Sequence, residues 1–310
     1  MKNKNLIYLG AAVVVLFGLY CLLQIGNVPK AEIMMLVETD TSMVTEVSIY
    51  KDGATTTLTR GEKGWNITNP YEYPANNSFI KTLLKKLDDL RIESTVTTNA
   101  KRWAEFELDD GKATKVTIVQ GDVQSDFYIG KSASGYKQTY ARLEGKDEVL
   151  LIRGTYGVAV NRKPESWREK KVADFAEEEV IKVTTHLLEM VKDGEDWRVT
   201  TKGGESFVAD QSKAGRVPRS LKNLRTSDFP EPADYEGVNW DKPYREVTVG
   251  LSTGDTRSIR FYEDPNEENR YFMRYHNTEH VFRVYKGVIG QIFKEADDLK
   301  AKPKEEENIQ

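Results

Sequence analysis

The chain has one cysteine, Cys21, in 310 residues. A lone cysteine excludes an intramolecular disulfide framework and any multi-cysteine metal site. Histidine is nearly as scarce, with His186, His276 and His280 the three present. That leaves few general bases of the commonest kind. A strong charge of either sign is also missing. The net charge is −4, whereas a face that binds phosphates is usually visibly basic, so nucleic acid is not an expected partner. Nucleotide and nucleophile motifs fail on their spacing. "IGKSASG" at 129–135 ends like a phosphate-binding loop, but Ser125 stands at the first glycine position and no helix pattern follows Ser132. "GGESF" around Ser206 lacks the closing glycine of a nucleophile elbow, because Val208 stands there. No catalytic residue, cofactor site or metal site is therefore assigned, and the chain is expected not to be an enzyme.

What is present begins at the N-terminus with "NLIYLGAAVVVLFGLYCLLQIG", uncharged from Leu6 to Ile25. A helix of that length spans roughly 30 Å, about the thickness of a hydrocarbon core. Lys2 and Lys4 precede it, which favours a cytoplasmic N-terminus and an exported body. A cleaved signal peptide has a shorter apolar run and a small-residue cleavage site, and "QIGNVPKAE" is a poor one. A lipoprotein needs a small residue before its cysteine, and Tyr20 precedes Cys21. The reading is a retained single-pass anchor in a bacterial inner membrane, with the body periplasmic or extracellular.

The body looks duplicated at an offset of about 132 residues. "KGWNIT" answers to "EDWRVT", placing Trp65 over Trp197; "KVTIV" answers to "EVTVG"; "YARLEGKDEVLLI" answers to "FMRYHNTEHVFRV". "GTYGVAV" and "KGVIGQI" follow as short helices. β-Branched and aromatic runs with short connections predict antiparallel strands. Phe79, Ile80, Leu83, Leu84, Leu87 and Leu90 form one apolar stripe at helical spacing. The matching helix of the second copy is interrupted by Gly215 and Pro218.

The fold class read from this is α+β: an N-terminal transmembrane helix, then two tandem similar units, each a mainly antiparallel sheet with one or two packed helices. The expected boundaries are a stub at 1–5, an anchor at 6–26, a linker at 27–42, repeats at 43–160 and 179–295, a connector at 161–178 and a frayed, charged tail at 296–310. Trp167 and Phe175 are the connector residues expected to pin the copies together.

"HNTEH" at 276–280 matches the H-x-x-E-H pattern of one zinc-protease class. The repeat argues against that chemistry. His276 falls on Glu144 and His280 on Glu148, where the first copy reads as a hairpin loop, and the protease motif needs a helix. His186, within "VIKVTTHLLEMVK", reads as a structural residue on a strand. Trp65 and Trp197 read as core. One equivalent pair of features is a candidate interaction face: Arg142 and Arg274, each two residues after an aromatic, Tyr140 and Phe272. Residues two apart on a strand share a face, and an arginine over an aromatic is a packing unit that also serves interfaces.

Taken together, Trp65 closing a short strand, "LLKKLDDL", "AEFELDD", "KVTIV", "FYIGK", "YARL" and "WREKKVADF" resemble the bacterial domain-of-unknown-function 4340 family over roughly residues 45–295. Glu107 departs from the glycine of the family pattern. The resemblance implies an exported, membrane-tethered protein, often encoded beside ABC-type exporters, including gliding-associated ones, and it assigns no activity. The expected function is a non-enzymatic, membrane-anchored accessory subunit partnering an ABC-type transport complex, with no nucleotide of its own. The alternative is a module binding an envelope glycan or lipid at a site between the two repeats.

Overall fold

The computed structural model describes residues 2–25, 33–135 and 137–301. Helix α1 spans Lys2–Ile25. The first copy then runs β1 (Val44–Lys51), β2 (Ala54–Gly61), β3 (Gly64–Asn69), β4 (Tyr73–Pro74), α2 (Asn77–Leu87), β5 (Ile92–Thr97), β6 (Thr114–Gln120), β7 (Val123–Ser132), β8 (Gln138–Leu143), β9 (Val149–Arg153) and α3 (Gly157–Val160). The second runs β10 (Val180–Thr184), β11 (Leu188–Asp193), β12 (Asp196–Thr201), β13 (Ser206–Val208), α4 (Gln211–Ala214), α5 (Arg216–Lys222), β14 (Arg245–Leu251), β15 (Thr256–Glu263), β16 (Arg270–Tyr275), β17 (Val281–Tyr285), α6 (Lys286–Ile292) and α7 (Ala296–Leu299).

The two sheets share one topology. Nine strands lie in the order β4-β3-β2-β1-β6-β7-β8-β9-β5, and eight in the order β13-β12-β11-β10-β14-β15-β16-β17. Strand for strand the lists correspond, with β5 the addition. Even an irregularity is duplicated: register shifts between Val44 and Glu46 where β1 meets β6, and between Val180 and Lys182 where β10 meets β14. Bulges of this kind are built features of a fold, so the shared position is strong internal evidence of duplication. The α+β class with two similar antiparallel units is as the sequence predicts.

Local chemistry explains the elements. Asp52 and Gly53 both take positive φ, at 49° and 81°, and close the β1–β2 hairpin between Lys51 and Ala54; Asp-Gly suits that two-residue turn. Asn76 caps α2, its Oδ1 accepting from the Ser78 and Phe79 amides at 3.1 and 3.2 Å. Ile80, Leu83 and Leu87 on that helix are buried, as is Leu90 just beyond it. Gly215 divides the second-copy helix into α4 and α5, as its sequence implies.

Contacts group the chain into Met1–Arg60 with Lys81–Arg162, and Gly61–Ile80 with Lys163–Gln310. The segment 61–80, assigned by sequence to the first repeat, thus counts with the second unit. The core of that unit packs the inner face of its sheet, including Val199, Val249, Ile259, Phe261 and Met273, under Val217 and Leu221 of α5 and Ile289 and Ile292 of α6. Phe175 belongs to this core, and Trp167 is fully buried.

Two expectations need adjustment. The second half of the presumed linker is part of the first unit: Leu36 donates to the Leu90 carbonyl at 2.8 Å, and Leu36 and Val37 are buried. The charged tail does not fray over α7, because Leu299 is buried and its carbonyl accepts from the Asp210 amide at 2.9 Å; Lys213 Nζ also donates to the Lys300 carbonyl at 2.6 Å, and Lys300 pairs with Glu205 at 2.9 Å. The rest of the tail, 302–310, lies outside the described residues. Among the described residues, no helix is long and apolar enough to cross a membrane. On α1, Tyr8, Leu9, Val13, Val14, Leu16 and Phe17 are all exposed.

Candidate interaction site

The four residues singled out from the sequence fall into two equivalent clusters on the second face of each sheet. In the first unit Phe106, Leu108, Ala113, Tyr128 and Val149 are buried together, with Trp103 and Tyr140 against them. In the second, Tyr262, Phe272 and Val281 are buried, with Tyr235, Val238 and Trp240 against them. Tyr140 and Phe272 therefore occupy matching places. Tyr140 stands 4.7 Å from Phe106, and Phe272 is fully buried with Tyr235 at 6.0 Å.

Each arginine lies over the tryptophan of its own cluster. The Arg142 guanidinium is 3.9 Å from the Trp103 ring centre and 3.5 Å from that of Tyr128, its cross-strand neighbour. Its Nε donates to the Leu108 carbonyl at 3.0 Å and Nη2 to Asp110 at 3.1 Å. Arg274 lies 3.7 Å over Trp240. The sequence pattern identified the arginines and their face. It did not identify the tryptophans they lie over, which come from the segment leading into β6 or β14. The two tryptophans were the available signal.

The copies differ around these stacks. Where Tyr128 faces Arg142, Arg260 faces Arg274. Tyr128 donates to Glu144 at 2.6 Å, and Lys115 pairs with Glu144 at 2.9 Å. In the second unit the corresponding pair is Arg260 with Glu246, at 2.9 Å. Arg142 is 2% exposed, so in the free protein its stack is a structural element.

The remaining motifs resolve into structure. His276 is in the β16–β17 turn with φ 44°, and His280 is exposed beyond it, its ring 5.0 Å from Tyr73. The helix that a protease zinc motif requires is absent at 276–280. Among the described residues no group of three or more metal-ligating side chains gathers. His186 is not on a strand, contrary to expectation. Thr185 Oγ1 accepts from the Leu187 and Leu188 amides, both at 3.2 Å, and turns the chain between β10 and β11. Partial burial and the Arg245 charge hold the His186 imidazole below its ordinary value. Gly130 of "IGKSASG" serves packing: a Cβ there would lie 2.2 Å from the Phe106 carbonyl oxygen. Trp65 and Trp197 are buried, at 8% and 5% exposure, as predicted.

"WREKK" has a structural meaning as well. The Arg168 guanidinium lies between Tyr71 at 4.0 Å and Phe229 at 4.7 Å. Glu169 accepts from Asn76 at 3.1 Å and from the Lys171 amide at 2.8 Å. Burial raises the Tyr73 phenol to about 12 against the Arg168 charge, so it stays neutral at all physiological pH.

The free edge of β17 is closed by charge. Asp228 forms a single bridge to Arg283 where β5 would pair in the first copy. Arg283 Nε approaches Asp264 at 3.2 Å and Nη1 approaches Asp228 at 3.1 Å; Asp228 also takes Arg270 at 3.1 Å. Inward charge on an edge strand discourages further pairing.

Two clefts lie at the ends of β7 and β15. One of about 340 Å³ in the first unit is lined by Lys51, Lys112, Lys131 and Glu107, beside Gly130 and Ser132. One of about 890 Å³ in the second is lined by Lys242, Tyr244, Glu263, Glu268, Tyr271 and Lys286, beside Tyr262 and Asp264.

The molecule is thus a duplicated antiparallel-sheet protein whose arginine–aromatic motifs are built into its framework. A family model described as Domain of unknown function (DUF4340) matches residues 65–243, from Trp65 to the segment before β14. The chain belongs to this family. No curated protein matches it.

Proposed function

We propose that this protein is a membrane-anchored accessory subunit, with its body outside the cytoplasm, that works through binding surfaces instead of chemistry. The observation that carries this reading is α1, whose apolar side chains at Tyr8, Leu9, Val13, Val14, Leu16 and Phe17 are exposed around the helix. A helix apolar on all sides belongs in an apolar medium. Lys2 and Lys4 in its first turn orient the body away from the cytoplasm. The partner in this reading is an ABC-type transport complex, which rests on the family resemblance. Affinity capture of the tagged full chain from mild-detergent extracts tests it. Recovery of an ATPase and its permease is expected. Recovery of the protein alone in several mild detergents overturns the partner assignment. Retention in the membrane fraction after alkaline carbonate washing is expected for the anchor, and release overturns it.

A further inference from the structure

The two clefts occupy the same place in the duplicated fold. Each lies between the segment leading into β6 or β14 and the far end of β7 or β15. Strand register makes the equivalence specific. Tyr128 and Ile129 face Arg142 and Ala141 as Arg260 and Phe261 face Arg274 and Met273, so the next residue, Gly130, takes the place of Tyr262; β7 then shifts register before Ser132. The exchange of Gly130 for Tyr262 explains the sizes. In the first unit the missing side chain at Gly130 lets the Phe106–Leu108 backbone rest directly on the strand. In the second, the Tyr262 ring stands under the same segment, edge-on to Trp240 at 4.8 Å, with its hydroxyl donating to the Trp240 carbonyl at 3.1 Å. The segment is held off the sheet and a larger cleft opens.

The lining of the opened cleft is specific in kind. Tyr244 is 38% exposed and pairs with Tyr271 at 5.2 Å with the rings inclined by 33°, while the Arg245 guanidinium lies 4.3 Å from the Tyr244 ring centre, so a partly exposed aromatic pair stands at the cleft wall. Lys242, Lys286, Glu263 and Glu268 line it and make no ion pairs among the described residues, while Arg270 and Asp264 are held by Glu267 and Arg283. Cationic and anionic lining groups balance, so neither a polyanion nor a polycation is favoured. Val238 and two prolines are too little apolar surface for an acyl chain. An aromatic pair ringed by free donors and acceptors suits the C–H face and hydroxyls of a sugar, and the volume is in the range of small-ligand sites.

We propose that the second-unit cleft, propped open by Tyr262, binds a neutral oligosaccharide. This goes beyond the proposed transport partner and does not depend on it. The test is calorimetric titration of the full chain, in the sugar-free detergent lauryldimethylamine oxide, with chitotetraose, cellotetraose and maltotetraose. Saturable binding of at least one is expected. Tyr244→Ala and Lys286→Gln should each weaken it about tenfold while leaving the circular dichroism and thermal unfolding unchanged. Tyr262→Gly should abolish it. No saturable binding up to about 10 mM of any of the three overturns the proposal. So does binding that Tyr244→Ala and Lys286→Gln both leave intact, which would place the sugar elsewhere.

Discussion

Replacing Arg142 by alanine should be among the most destabilising single changes in the first unit. Its side chain is 3% exposed, with aromatic rings on both faces. A desolvated cation–π contact contributes up to about 2 kcal/mol. The charged hydrogen bond to the buried Leu108 carbonyl contributes about 1.5–3 kcal/mol, and its loss leaves that oxygen unsatisfied. These effects overlap, so the expected cost is about 3–5 kcal/mol. Asp110, the ionic partner, is 88% exposed. Solvent screens that pair, and Asp110→Ala should cost less than about 1 kcal/mol. Arg142→Lys keeps the charge but loses the planar stack and should fall between the two. Urea-dependent hydrogen exchange at β7 and β8 reads the first unit separately from the second. An Arg142→Ala cost below about 1 kcal/mol, or equal costs for Arg142→Ala and Asp110→Ala, refutes the reasoning.

Gly130→Ala should destabilise by about 1–3 kcal/mol or more, measured by the same exchange, because the new Cβ meets backbone at 2.2 Å and only a shift of the Phe106 segment relieves it. Glu107→Gly should stabilise by about 0.5–1 kcal/mol in urea unfolding, since Glu107 sits at φ 56°, a left-handed conformation that costs L-residues about 1–2 kcal/mol. For Asp174, burial is the largest influence and pushes the carboxyl up, but hydrogen bonds from Tyr275 and Arg257 outweigh it and the net value is lowered. Its stabilising contribution is therefore present above the unfolded value of about 3.9 and lost as pH falls through the folded one. Asp174→Asn should be less stable than the native protein at pH 7, with the gap closing below about pH 4; a gap that persists there removes the carboxylate from the explanation.

The duplication was legible because Trp65 and Trp197, and Arg142 and Arg274, keep their spacing within strands that themselves keep their lengths. The Asp52-Gly53 turn and the Gly215 break were legible because each depends on local backbone chemistry. Long-range pairings were not. Trp103 and Trp240 meet their arginines through segments of different length in the two copies, which no fixed offset reveals. His186 was misplaced because its flanking valines and leucines suggest one continuous strand, while the Thr185 hydroxyl supplies the turn. The clefts were invisible for a similar reason: exchanging Gly130 for Tyr262 matters only through the segment each supports. Glu107 was flagged as a departure, and its left-handed φ supplies the physical reason a glycine fits there.

The assignment of segment 61–80 to the second unit has a consequence for how the chain is made. Tyr73, which packs against the second core, leaves the ribosome well before any strand of that core exists. At roughly 5–20 residues per second, the whole of 81–162 must be synthesised first, a delay of several seconds. During translation the Tyr73 ring waits for a late partner, and a nascent chain arrested near residue 162 would hold one of its two bodies permanently unfinished.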